Sequence, residues 1–81
     1  MAYITLAELP PYGVCRVERI EECGIKARLE GLGIAKGAEL VWLFAAPSGD
    51  PTAYSVRGTT VALRASDAAN VIVSVSGAWK A

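Results

Sequence analysis

Two cysteines are the residues of this sequence with the clearest potential for chemistry, since it contains no histidine. Seven residues separate Cys15 from Cys23, and a structural zinc site or an iron–sulfur cluster needs about four such soft ligands. The missing histidine also excludes imidazole ligands and the serine–histidine or cysteine–histidine pairs of nucleophilic catalysis. We therefore expect no catalytic residues and no bound cofactor, and free thiols rather than a disulfide.

Size and charge exclude further classes of function. The chain has 81 residues, which allows burial of only about 60% of the open chain's surface and so one small domain. Eight basic and eight acidic residues cancel, whereas nucleic-acid binding depends mostly on neutralising phosphates. The longest apolar run, Leu40–Ala46, is far shorter than the roughly 20 residues that span a bilayer. With no recognisable signal peptide, we expect a soluble, cytoplasmic protein that neither binds nucleic acid nor inserts into a membrane.

The elements that position the cysteines and their surroundings are short strands. Cys15 and Val17 lie on one face of the first strand, but Ile20 falls on the other, and a bulge or bend near Glu18 would reconcile them. About five such strands in so short a chain favour a small closed or half-closed antiparallel barrel, because a barrel removes exposed sheet edges. The strand-forming runs are residues 14–20, 39–46, 54–57, 61–64 and 71–75.

Two or three short helices and several turns connect these strands. Thr5 and Glu8 have the spacing of a capping box. An apolar stripe predicts a helix over Ile25–Leu32, which Gly33 would end in the left-handed conformation. Ser66 and Asp67 are expected to cap a brief helix at residues 67–70, and a hairpin or sharp bend is expected at residues 58–59.

Several segments together resemble the sequence pattern of the ferrous iron transport protein A (FeoA) family. One segment is similar to its R-L-x-x-L-G-(I/L)-x-x-G signature, a second to its A-P-L-G-D-P turn, and a third to its V-R-G…A-L-R-x-x-E-A-x-x-I ending. The resemblance runs in order over about residues 5–75, and only the combination is specific. The residues concerned are Arg28, Leu29, Leu32, Gly33, Ile34 and Gly37, then 46–51, then Val56, Arg57, Gly58, Ala62, Leu63, Arg64, Ala68 and Val71.

The resemblance implies an SH3-like β-barrel, which we expect over residues 1–76, followed by a tail at 77–81. It also implies a small accessory protein of bacterial ferrous iron uptake. Its partner would be the cytoplasmic, GTP-binding part of the membrane transporter ferrous iron transport protein B (FeoB). Two alternatives stay open: a metal-binding or metal-sensing barrel that uses Cys15 and Cys23, and an interaction module of another metal-regulated system.

Most of the matching residues also have a structural explanation. Arg28, Arg57 and Arg64 remain open between holding a turn carbonyl and facing an acidic partner. Asp50 is expected to bond the backbone of its own turn. Residues expected in the core are Leu29, Leu32, Val56, Leu63 and Val73, and glycines expected at positive φ are Gly33, Gly37, Gly49 and Gly58.

The chain departs from the family pattern by being more apolar on its second strand. Val41 and Phe44 stand where the family has polar or charged residues, and Ser48 stands where it has an apolar one. Large apolar groups on a water-facing strand indicate an interface, unless the tail with Trp79 covers them. The partner would be the transporter or a second copy of the chain. The expected binding residues are Val41, Phe44, Pro47, Gly49, Asp50, Pro51 and Arg57.

Overall fold

Six antiparallel strands and three short helical segments make up residues 2–75, the part of the chain described by the computed structural model. The strands are β1 (Ala2–Thr5), β2 (Val14–Ile20), β3 (Glu39–Ala45), β4 (Thr52–Val56), β5 (Thr59–Leu63) and β6 (Val71–Val75). The helical segments are a 3₁₀ turn at Leu6–Glu8, α1 (Lys26–Gly31) and α2 (Ala65–Ala68). The strands form one sheet in the order β1-β6-β2-β3-β4-β5. The tail predicted at 77–81, with Trp79, lies outside the described residues.

The strand β1 was not predicted, and it brings the number of strands to six where about five were expected. Its four residues show no clear alternation, because Tyr3 is exposed and Ile4 is only half-buried. It is a strand because it pairs with β6, where Ile4 lies opposite Val73. This pairing joins the two ends of the described chain. It therefore has no counterpart in the pattern of neighbouring residues in the sequence.

The bulge predicted near Glu18 is confirmed. The register between β2 and β6 shifts between Val17 and Arg19, so one extra residue of β2 stands opposite β6. The extra residue rotates the rest of the strand. Cys15, Val17 and Ile20 are consequently all buried.

The helix α1 ends in the glycine turn that the sequence predicts. Gly33 has φ +98°, its amide donates to the Glu30 carbonyl, and the amide of Ile34 donates to the Leu29 carbonyl, each at 3.0 Å. These two bonds satisfy the last carbonyls of the helix, as in a Schellman motif. The three other glycines expected at positive φ are also found there, namely Gly37, Gly49 and Gly58.

The prediction of the core is confirmed for four of its five residues. Leu29, Val56, Leu63 and Val73 are buried. Leu32 is 42% exposed, so its predicted place in the core is wrong. The glycine turn reverses the chain, and Ile34 rather than Leu32 packs into the core after Leu29. Within residues 2–75 no helix has the length and apolar character needed to cross a bilayer.

Candidate functional site

The outer face of β2 and β3 carries exposed apolar side chains. Val14 is 46% exposed and pairs with the half-buried Val41. Phe44 is 59% exposed. We call Val14, Val41 and Phe44 the outer-face patch.

A second bulge places Phe44 in this patch. The register between β3 and β4 shifts between Trp42 and Phe44, so Leu43 is the extra residue. Strict alternation along β3 would put Phe44 on the core-facing side with Leu40 and Trp42. The bulge instead turns Phe44 to the same side as Val41.

Among residues 2–75, no charged residue stands in the same cross-strand rows as the patch. The row of Val41 contains Ser55 of β4 and Thr60 of β5, and the row of Phe44 contains Ala53 of β4 and Ala62 of β5. The nearest charged outward pair on β2 and β3 is Arg16 opposite Glu39. The outer-face patch can therefore meet an apolar partner without burying a charge.

A strained tyrosine adjoins the same end of β3, and the sequence reasoning missed it. The amide of Gly13 donates to the Pro10 carbonyl at 3.0 Å and closes a tight turn, in which Tyr12 has φ +65°. Glycine or asparagine usually occupies such a position. The Tyr12 ring is 80% exposed and meets Trp42 edge-on, with 5.2 Å between ring centroids. The turn residues around the tyrosine, two prolines and a glycine, were the available signal in the sequence.

The turn Pro47–Pro51 is exposed, but its carboxylate is engaged within the fold. Asp50 Oδ1 accepts a hydrogen bond from the backbone amide of Ala65 at 2.8 Å. The expectation that Asp50 bonds its own turn is therefore wrong. The expected cap by Ser66 and Asp67 is also wrong, because α2 begins at Ala65 and takes its side-chain cap from the distant turn.

The β4–β5 hairpin turns at Arg57 and Gly58, one residue earlier than expected. Arg57 has φ +52° and Gly58 has φ +81°. Two positive φ values define a type I′ turn, for which asparagine–glycine is the favoured pair. The Arg57 side chain is exposed and passes close to Gly33, because a Cβ on that glycine would lie 3.6 Å from Arg57 Cδ.

An arginine does bind a turn carbonyl, but it is Arg16 and not one of the three arginines considered for that role. Arg16 Nη1 donates to the Gly37 carbonyl at 2.8 Å. Within residues 2–75, Arg28, Arg57 and Arg64 make neither a side-chain hydrogen bond nor an ion pair. Arg28 and Arg64 instead line a cleft of about 220 Å³.

The two cysteines are free and differ in their surroundings. Cys15 is buried and Cys23 is half-buried. Burial, assisted by the nearby Glu39 carboxylate, raises the pKa of the Cys15 thiol to about 12. The thiolate is the form that binds a metal, so this burial disfavours Cys15 as a ligand. In the described part of the chain, no three residues of the His, Cys, Asp and Glu types come together as a metal site.

Comparisons with known proteins identify the family. The sequence model of the FeoA domain matches residues 4–75. The chain belongs to the FeoA family. A comparison with curated protein sequences gives no match.

Solved FeoA structures have the same fold. The FeoA-like protein of Clostridium acetobutylicum is 32% identical, with a TM-score of 0.85 over 93% of this chain and 88% of its own. FeoA of Stenotrophomonas maltophilia, solved with zinc, is 36% identical, with a TM-score of 0.80 over 88% and 89%. The latter is described as a procaryotic SH3-domain protein and a candidate activating factor of bacterial ferrous iron transport. The predicted SH3-like fold is thus confirmed.

One further likeness concerns the fold alone. IdeR of T. acidophilum has a TM-score of 0.77 over 94% of this chain and 35% of its own, with 22% sequence identity. The same barrel therefore occurs as one part of a larger protein.

Proposed function

We propose that the chain is a non-catalytic, cytoplasmic accessory protein of ferrous iron uptake. In this proposal it binds the cytoplasmic, GTP-binding part of ferrous iron transport protein B and tunes its activity. Membership of the FeoA family supports a role in ferrous iron uptake, and so does the transport role described for the Stenotrophomonas relative. The absence of histidine supports a role in binding rather than catalysis, because it removes the commonest general base.

The observation that carries the proposal is the exposure of Phe44 beside Val14 and Val41. A large exposed aromatic side chain, in a cross-strand row without a charged residue, is the kind of anchor that dominates protein–protein binding energy. With Leu43 between Trp42 and Phe44, the bulge is needed to bring Phe44 there. Bulges that re-aim a side chain are typical of functional surfaces.

The contact surface extends from the outer-face patch to the neighbouring turns. The turn Pro47–Pro51 directly follows β3, and Arg57 is the exposed tip of the β4–β5 hairpin. The backbone of Arg57 has a positive φ, a conformation that is unfavourable for arginine. Strain of this kind clusters at functional sites. In the proposal, Arg57 supplies a charged contact at the rim of the apolar patch.

The test measures binding of the complete chain to the full-length transporter in nanodiscs. Wild type is expected to bind, and Phe44→Ser is expected to weaken binding at least about tenfold, as for a hot-spot residue. Tyr3→Ser is the matched control, since Tyr3 is also an exposed aromatic but lies on β1, three strands from β3. It should bind as wild type does. No binding of wild type at high micromolar concentration would refute the proposal. Equal effects of the two substitutions would exclude the outer-face patch as the surface that binds the transporter.

A further inference from the structure

A cleft of about 220 Å³ lies where α1, the end of β5 and the start of α2 meet. It adjoins the outer-face patch, because Ala62 lines the cleft and belongs to the same cross-strand row as Phe44. Its lining includes Ile25, Arg28, Leu32, Pro51, Arg64 and Asp67.

The cleft holds apolar surface that the core does not use. Leu32 is 42% exposed and Ile25 is only half-buried. The core takes Leu29 and Ile34 from the same segment instead. Pro51, which is also exposed, adds a third apolar side chain. Apolar surface left open in this way gains free energy when another apolar group covers it.

The charges of the cleft are unbalanced toward positive. Arg28 and Arg64 are both exposed, and neither forms an ion pair or a side-chain hydrogen bond within residues 2–75. Asp67 contributes the one carboxylate of the lining, so two guanidinium groups stand against one negative charge. By contrast, Arg19 is paired with Glu21 at 2.6 Å. A guanidinium binds a carboxylate in a planar, two-bonded geometry.

The volume indicates the size of the occupant. Small-molecule and cofactor sites usually enclose roughly 300–1,000 Å³, and this cleft of about 220 Å³ is smaller. It has room for one or two side chains. A segment of another protein, inserting an apolar side chain, fits it better than a cofactor does.

We propose that this cleft binds a short acidic–apolar segment of the partner protein. The apolar side chain of the segment lies against Ile25 and Leu32, and a carboxylate next to it is bound by Arg28 and Arg64. Asp67 repels a second carboxylate on its own side and so sets the direction of the segment. The inference rests on the proposed function for the identity of the partner, which is the cytoplasmic part of the transporter.

The test uses two synthetic hexapeptides and the complete, nitrogen-15-labelled chain. One peptide has two leucines flanked on each side by two glutamates, and the other has glutamines in place of the glutamates. The glutamate peptide is expected to shift the amide resonances of residues 25–32 and 62–67 and to bind several-fold more tightly than the glutamine peptide. Equal binding of both peptides, shifts confined to other residues, or no shift at millimolar concentration would overturn the inference.

Variants distinguish the contribution of charge to peptide binding from the contribution of apolar contact. The double variant Arg28→Gln/Arg64→Gln should remove the preference for glutamate, and Leu32→Ser should weaken both peptides. The matched control Arg19→Gln/Lys36→Gln removes the same charge at exposed positions that do not line the cleft, and it should retain the preference. Loss of the preference in this control as well would overturn the inference, because net charge alone would then account for it.

Binding to the full-length transporter distinguishes this inference from the proposed function. If wild type and Arg28→Gln/Arg64→Gln bind the transporter equally, the cleft inference fails and the proposed function stands. If the glutamate preference is found but wild type does not bind the transporter, the proposed function fails and the cleft retains its acidic–apolar specificity. Self-association of the chain that the double variant abolishes would assign the cleft to a second copy and overturn the stated partner.

Discussion

The carboxylate of Asp50 accepts a hydrogen bond of 2.8 Å from the backbone amide of Ala65, the first residue of α2. The four-residue helix has Arg64 at its N-cap, which provides no side-chain hydrogen bond. Asp50 therefore supplies from a distant turn what a serine or aspartate N-cap usually supplies locally. The bond also ties the turn Pro47–Pro51 to the side of the cleft on which Arg64 lies.

Removal of this bond should destabilise the fold. Asp50→Ala is expected to lower the free energy of unfolding by about 1 kcal/mol, the usual effect of losing a helix cap. Asp50→Asn keeps a side-chain oxygen that can accept the Ala65 amide and should lose less. Urea denaturation of the three proteins measures the difference. Identical midpoints for Asp50→Ala and wild type would contradict a capping role.

The features that the sequence predicted depend on neighbouring residues. The conflict between the faces of Val17 and Ile20 signalled the bulge at Glu18, and the end of an apolar stripe signalled the turn at Gly33. The second bulge, at Leu43, gave no such signal. Both faces of β3 are apolar, so alternation continues through the bulge without a conflict.

Three of the features that were missed depend on residues far apart in the chain. β1 is a strand only because β6 pairs with it, and Asp50 caps a helix fifteen residues away. The cleft likewise combines Arg28 of α1 with Arg64 beside α2. The resemblance to the FeoA family singled out both arginines, but only the structure shows that they line one cavity.

Two neighbouring glycines should respond oppositely to alanine. Gly33→Ala is expected to lower the free energy of unfolding by about 1–2 kcal/mol, because φ is +98° and the new Cβ would lie 3.2 Å from Val56. Gly31 lies in α1 with open space around it. Gly31→Ala should raise stability by about 0.5 kcal/mol, since alanine favours helix. Thermal and urea unfolding measure both, and a stabilising Gly33→Ala would be inconsistent with the glycine turn.

Arg57→Asn should stabilise the fold and weaken binding at the same time. Asparagine tolerates positive φ better than arginine, and asparagine–glycine is favoured in type I′ turns, so a gain of about 0.5–1 kcal/mol is expected. In the proposed function the same substitution removes a contact with the transporter. Chemical denaturation and nanodisc binding provide the two measurements. Lower stability would argue that contacts of the Arg57 side chain outweigh its backbone strain.

The two thiols should differ in reactivity. Burial raises the pKa of the Cys15 thiol to about 12, so at pH 8 almost none of it is the reactive thiolate. Cys23 is half-buried and should be alkylated first by N-ethylmaleimide. Peptide mapping by mass spectrometry after short exposure identifies the modified residue, and unfolding in urea should expose both. Equal rates in the native protein would mean that Cys15 is more accessible than the structure shows.

Glu8 should make stability sensitive to acid. Hydrogen bonds from the amide of Thr5, at 2.8 Å, and from its hydroxyl, at 3.1 Å, hold the pKa of Glu8 below its ordinary value of 4.5. A lowered pKa means that the carboxylate stabilises the fold above about pH 4.5, and that this contribution is lost as pH falls through the folded-state pKa. Glu8→Gln should therefore be less stable than wild type at pH 7, with a difference that shrinks on acidification. Urea denaturation at several pH values measures that difference, and a constant one would exclude the carboxylate as its source.

The bulge at Leu43 makes the character of an exterior surface independent of one residue of chain length. Deleting that single residue would remove the bulge and still leave Phe44 opposite Ala53 on the outer face, because Phe44 would then directly follow the inward-facing Trp42. The strand can thus gain or lose one residue at this point without moving the aromatic anchor from the outer face. Relatives with the same residues around this position but one residue fewer would present the same exterior, and alignments that ignore the gap would equate side chains that point in opposite directions.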